Sequence, residues 1–216
     1  MTNIKSTYIH IPFCTQMCHY CSFVKFYYAE NKATEYLRAL KKEMDIYLPG
    51  TNHEMNTIYI GGGTPTALNV EQLRVLMEII HSKFDIANVK EFTIEINPGD
   101  VNHEKLNILQ AYGINRISFG VQVMDDAMLE SLGRKHRVKD VYQTVDLLTK
   151  YDFTNISLDL IYALPQQTVE QFSQSLYEAL EFQLPHYSTY ALQIEPKTLF
   201  YHQYKKGLLH RPKEEE

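Results

Sequence analysis

Past residue 21 this 216-residue sequence has no cysteine; its three, Cys14, Cys18 and Cys21, fall within eight positions near the start. An odd number so closely spaced is a poor disulfide framework, and a domain of this size has ample core without covalent staples. Also missing is any window approaching the roughly 18 apolar residues of a membrane span. The N-terminus, "MTNIKSTYIHIPF", lacks the basic stretch and apolar run of a secretory leader, so the cytoplasm is the expected location. Positive charge is scarce too: the formal net charge is -5, and "GRKHR" at 133–137 is the only dense basic run. That balance argues against nucleic acid or another polyanion as partner. No low-complexity linker and no long repeat interrupts the chain. A hydrophobic fraction of 44% with 22% charged residues excludes the disordered and fibrous classes.

What is present is a rhythm of short β-rich runs separated by helical patterns. The runs are "TYIHIPF" (7–13), "NTIYIGG" (56–62), "EFTIEIN" (91–97), "NRISFGVQ" (115–122), "NISLDLIYAL" (155–164) and "YSTYALQI" (187–194). Such alternation predicts βα units building a parallel sheet. Asn31 is expected to open a helix that "LPG" closes at 48–50; Asn69 with Gln72, and Thr168 with Gln171, read as capping boxes. Gly113 reads as a helix stop, and 125–151 as two helical pieces broken near Gly133. Strand parity adds chemistry. His10 shares a face with Tyr8, Glu95 with Thr93, Gln122 with Ser118 and Gly120, and Asp159 with Ser157, each opposite apolar neighbours. A closed eight-stranded barrel fills its lumen with branched apolar side chains, so six strands with a polar inner face predict an incomplete (β/α)6 TIM-type barrel around a wet cleft. Sites in such folds lie at the carboxyl ends of the strands, and the cysteine segment follows the first strand.

The cysteines are spaced C-x3-C-x2-C. Buried structural thiols would not cluster in a polar loop. A zinc site recruiting His10 or His19 as fourth ligand stays open, although such sites normally pair C-x2-C with a second, distant pair. The other reading is a 4Fe-4S cluster held by three thiolates instead of the usual four. One iron is then free to bind a chelating molecule, and S-adenosylmethionine supplies amino and carboxylate groups for it.

Beyond the cysteines, "YIHIPFC", "IGGGTPT", "FTIEINP", "RISFGVQ", "LGRKH" and "LDLIYALPQQT" resemble the radical S-adenosylmethionine superfamily, over about residues 8–200. Within it they are similar to the branch of oxygen-independent coproporphyrinogen III oxidases (dehydrogenases) and HemW-type haem chaperones. The resemblance implies that Cys14, Cys18 and Cys21 hold the cluster. It implies that Gly62, Gly63 and Thr64 approach the ammonium end of S-adenosylmethionine, and that Glu95 accepts from a ribose hydroxyl or ammonium group. Gln122, Asp159 and, more weakly, Gln193 are expected to bind the same nucleotide. Arg134, by itself a solvated helix end, becomes a carboxylate partner. Tyr8 is placed near the cofactor, and Tyr20 against the cluster or adenine. An electron donor, haem or porphyrinogen, and haem-accepting proteins follow as partners from the resemblance alone.

Two departures favour the chaperones over the dehydrogenases. Phe23 stands where the dehydrogenases carry a further cysteine, and only seven residues precede Tyr8 where they carry a longer extension. Residues 1–206 read as the partial-barrel domain, and 207–216, with "HRPKEEE", as the start of a linker to a C-terminal domain that this chain lacks. His136, His186 and His202 are imaginable haem ligands, but lone histidines of this kind usually sit at the surface with no ligand.

Overall fold

A strand survives where one face of a run is apolar enough to pack and the other finds hydrogen bonds. In the computed structural model, which describes residues 5–210 and Pro212, all six β-rich runs meet that condition. They form β1 (Ser6–Ile11), β2 (Thr57–Gly62), β3 (Glu91–Ile96), β4 (Arg116–Gln122), β5 (Ile156–Tyr162) and β6 (His186–Ala191). Each pairs in parallel with the next in sequence, giving a six-stranded sheet whose edges are β1 and β6. The helices between and after them are α1 (Glu30–Tyr47), α2 (Val70–His81), α3 (His103–Ala111), α4 (Asp126–Ser131), α5 (Val138–Lys150), α6 (Val169–Leu180) and α7 (Leu199–Lys205). This is the open, six-stranded α/β partial barrel expected from the sequence.

The outward face carries the core. Ile58, Ile60, Phe92, Ile94, Ile117, Phe119, Leu158 and Leu160 are fully buried, together with Leu37, Leu73, Leu76, Met77, Leu106 and Leu148 from the helices. Each such side chain contributes about 1.5–3 kcal/mol by leaving water. On the inward face the alternate residues are polar and bond to one another. Tyr59 donates to Glu95 at 2.8 Å, and Ser118 to Asp159 at 3.0 Å. Arg116 donates to Thr93 at 3.4 Å, and the Ser157 hydroxyl pairs with His186 Nδ1 at 2.8 Å. The lumen is therefore satisfied internally where it is buried and left open at the carboxyl rim.

Helix ends follow the sequence with one correction. Both capping boxes form, Asn69 with Gln72 and Thr168 with Gln171, and Gly113 adopts φ +80° just past α3. Gly133, at φ +73°, separates α4 from α5. Asn31, however, does not open α1: the residue with extended cap geometry is Ala29, and Glu30 is the first helical residue, with no side-chain cap. The break at "LPG" holds, and buried Lys83 donates to the carbonyls of Leu48 and Gly50 while pairing with Asp45 at 2.8 Å.

The first strand also ends earlier than its apolar run, at Ile11. Phe13–Cys14 instead makes a short parallel pairing with Phe26–Tyr27, which turns the cysteine segment into a loop over the rim. Packing runs past the expected domain boundary at 206. Leu209 is buried in a second cluster with Val123, Leu129, Leu132, Leu164 and Phe200, because a run of apolar rim residues needs a cover. Of the expected linker, Arg211 and residues 213–216 lie outside the described residues.

The capping boxes are testable by themselves. Thr168→Ala removes the acceptor for the Gln171 amide, and urea denaturation should report a loss of about 1 kcal/mol with an unchanged denaturant slope.

Candidate functional site

A cavity of about 500 Å³ opens at the carboxyl rim, within the size range of small-molecule pockets, roughly 300–1,000 Å³. All three cysteines line it. So do Tyr20, Gly62, Gly63, Thr64, Glu95 and Gln122, and likewise Arg134, Asp159 and Gln193. Tyr8 is the expected residue that does not: on edge strand β1 it is 56% exposed, donates to His10 Nδ1 at 3.0 Å and stacks on Tyr59. Its neighbour Tyr59 takes the lining position instead, because β2 lies one strand further into the sheet.

The cysteine segment is tied to residues more than a hundred positions away. The Arg134 guanidinium donates to the Tyr20 hydroxyl at 2.8 Å and lies over that ring. The Lys135 amide donates to Gln16 Oε1 at 2.6 Å, and its ammonium to the Thr15 carbonyl. His19 is fixed by its backbone to Leu132 and Phe200 and by its ring to the Ser131 carbonyl at 2.8 Å. Close approach from β2 completes the cradle. A Cβ on Gly63 would lie 2.7 Å from the Phe13 carbonyl oxygen and 3.0 Å from Cys14 Sγ. Gly62, at φ +117°, leaves room for the His10 ring and donates its amide to Glu95 at 3.0 Å.

Charge in the cavity is divided. Arg134, 8% exposed, bonds to Asn97 at 2.7 Å and to Tyr20, has no carboxylate within ion-pair distance among the described residues, and leaves its Nε without a partner. Positive charge thus stands beside the thiols. Glu95 and Asp159 line the same cavity, and burial pushes their carboxyls above their ordinary values. Burial likewise pushes the Cys14 thiol up to about 11, so a metal must displace its proton. Gln122 sits at φ +78° where the β4–β5 register slips, which turns it into the cavity. His136, expected at the surface, is buried. Desolvation and the nearby Arg134 hold it neutral, down to about 4, with Nε2 on the Val121 carbonyl.

Asn97 is the residue the strand pattern passed over. It follows β3 directly and bonds to Thr64, Asp100 and Arg134. A polar side chain at the first position beyond a strand's carboxyl end is the signal that marks it. Tyr59, alternating with Ile58 and Ile60, was legible by the same parity as Glu95.

Across residues 8–177 the chain matches the family model described as the Radical SAM superfamily. The chain belongs to the radical SAM superfamily. It is 46% identical over 215 residues to the heme chaperone HemW of Bacillus subtilis, covering 99% of this chain and 57% of that protein. It is 40% identical over 211 residues to HemW of Lactococcus lactis, covering 98% of this chain and 55% of the other. Among solved structures, the coproporphyrinogen III oxidase HemN of Escherichia coli superposes with a TM-score of 0.85 at 30% identity, covering 98% of this chain and 49% of that one. The chain spans about half the length of the relatives it matches. No helix among the described residues is long and apolar enough to cross a membrane.

Membership in the radical SAM superfamily implies a 4Fe-4S cluster and S-adenosylmethionine. The residues present fit both. Three cysteines line the cavity with a buried guanidinium that has no carboxylate within ion-pair distance among the described residues, which suits an anionic thiolate cluster and a ligand carboxylate. Two carboxyls lining the same cavity suit an ammonium group or ribose hydroxyls. A single zinc ion fits poorly: among the described residues no three of His, Cys, Asp and Glu converge on one point, whereas a cluster spreads its thiolates over separate irons. Neither histidine of the zinc reading lines the cavity, and both His10 nitrogens are engaged, by Tyr8 and by the Val24 carbonyl.

The raised carboxyls carry a pH signature. Between the ordinary aspartate pKa and the raised value of folded Asp159, the folded chain holds more protons than the unfolded one. Stability of the cofactor-free protein therefore falls as pH rises through that interval. Asp159→Asn should flatten this slope in thermal unfolding across pH 4–7 (on the order of the ordinary carboxyl range) and leave the neutral-pH protein no less stable. An unchanged slope would show that Asp159 is not the group responsible.

Proposed function

We propose that this chain is the cluster- and nucleotide-binding part of a HemW-type haem chaperone, acting in the cytoplasm to deliver haem to haem-accepting proteins. The observation that carries this reading is the identity to proteins named heme chaperones, 46% and 40%, along almost the whole chain. In this reading Cys14, Cys18 and Cys21 are the cluster ligands. Glycine backbone at 62 and 63, Glu95, Gln122 and Asp159 hold the amino and ribose parts of S-adenosylmethionine, with Gln193 at the mouth. Arg134 directs its guanidinium toward the carboxylate, and Tyr20 keeps that guanidinium aimed by accepting from its Nη2.

When bound to Cys14, Cys18 and Cys21 and reduced, the cluster would supply the one electron needed to cleave a sulfonium carbon–sulfur bond of S-adenosylmethionine. The chain's own contribution is to exclude water from the cavity floor, where Thr64, Gln122 and Arg134 are each less than a tenth exposed, and to fix the ligand's charged ends. Binding the nucleotide and cleaving it are separate claims; the chaperone reading needs only the first.

The likeness to coproporphyrinogen III oxidase supports a second reading, oxidative decarboxylation of a porphyrinogen. Phe23 weighs against it. It lines the cavity and is 66% exposed at the position where the dehydrogenases carry a further cysteine.

Anaerobic reconstitution tests the site. Wild-type protein should take up four irons and four sulfides per chain, about the stoichiometry of one cubane, and S-adenosylmethionine should perturb its spectrum. Cys18→Ala should abolish uptake. Arg134→Lys keeps the charge but loses the fork, and should weaken the nucleotide-induced change about tenfold. Protein that loads zinc and no sulfide sinks the reading. Robust turnover of coproporphyrinogen III would replace the chaperone with the oxidase.

A further inference from the structure

Thr64 begins the short helical turn Pro65–Ala67, where a threonine hydroxyl ordinarily caps a backbone amide; here it makes no such bond. Its backbone is pinned, with the amide donating to the Phe13 carbonyl at 2.7 Å and the carbonyl accepting from the Ala67 amide. The side chain, in a residue only 4% exposed, points at two partners: Cys14 Sγ at 3.7 Å and Asn97 Nδ2 at 2.9 Å.

The direction of these bonds is fixed by charge. Arginine only donates, so the atom of Asn97 that lies 2.7 Å from Arg134 is its carbonyl oxygen. The Asn97 amino group then faces Asp100 Oδ2 at 3.1 Å and Thr64 Oγ1, donating one hydrogen to each. A hydroxyl that accepts from Asn97 keeps its single hydrogen for the sulfur. Lys105 holds the frame by donating to the carbonyls of both Thr66 and Asp100.

We propose that Thr64 and Asn97 form a hydrogen-bond relay that tunes the reduction potential of the cluster through the Cys14 thiolate, Thr64 as donor to the sulfur and Asn97 as the residue that aims it. The proposal rests on the cluster reading above. One-electron reduction by an added donor increases negative charge on the ligand sulfurs, and an O–H aimed at one of them stabilises the reduced form. The relay therefore holds the potential higher than bare thiolate ligation would.

The test is a dithionite titration of the reconstituted wild-type protein and its variants, followed by electron paramagnetic resonance, with iron and sulfide content measured on each sample. Thr64→Val should shift the potential negative at unchanged cluster content, while Thr64→Ser, which keeps the hydroxyl, should stay at the wild-type value. Asn97→Asp places an acceptor where the amino group was, so the Thr64 hydrogen turns from the sulfur. It too should shift the potential negative, and adding Thr64→Val to it should produce little further change. Wild-type protein that binds no iron and sulfide overturns the site reading and the relay together. Loaded protein in which Thr64→Val matches wild type, or in which Thr64→Ser moves as far as Thr64→Val, overturns the relay alone. Fully additive shifts in the double variant remove Asn97 from it.

Discussion

A guanidinium buried with no carboxylate within ion-pair distance among the described residues is the constraint around which this site is arranged. Transferring such a charge from water costs several kcal/mol unless other groups compensate. Arg134 recovers part of that through Asn97 and the Tyr20 hydroxyl, both neutral. The bond to Tyr20 ties the cysteine segment to the α4–α5 loop, since Tyr20 lies between Cys18 and Cys21. The fold thus keeps a positive charge beside three thiols, compensated among the described residues only by neutral hydrogen-bond acceptors. Glu95 and Asp159 repeat the pattern with the opposite sign: each is supported by hydroxyl or amide donors and lacks an ion-pair partner among the described residues. Burying these groups without ion-pair partners costs stability and leaves both signs of charge lining one cavity.

The fold was legible because two periodicities agreed. Apolar residues at alternate positions of β3, β4 and β5 marked the outer face, and the polar residues between them marked the inner one. Capping boxes at Asn69 and Thr168 could be read directly because their spacing is local. Asn31 misled for the same reason: its side chain suits a cap, but the extended conformation a cap requires falls on Ala29, which has no side-chain signal at all. The edge position of β1 was equally invisible. Parity puts Tyr8 on the inner face, but which strands flank it is decided by pairing, and an edge residue on the inner face remains open to water.

Site residues divide along similar lines. Those on strands or in the glycine turn could be placed from pattern and resemblance. Gln16 and Lys135 could not, because their contact spans 119 residues of sequence and no local pattern encodes it; of Asn97 only its place just past β3 was legible, not its bonds to Thr64 and Arg134, 33 and 37 residues away. Arg134 stood between: its run of basic residues looks like a solvated helix end, and only the packing of the α4–α5 loop against the cysteine segment turns it inward.

The anchoring of the cysteine segment also dictates an order of events during biosynthesis. Its three thiols leave the ribosome well before Arg134, Lys135 and the Leu132 carbonyl that hold the segment, which are made more than a hundred residues later. At ~5–20 residues per second the wait is on the order of ten seconds. Throughout that interval the nascent thiols face oxidants and stray metal ions with no protein wall around them. The cavity wall around them closes only once the α4–α5 turn has emerged, and the unguarded period belongs to translation, not to the mature molecule.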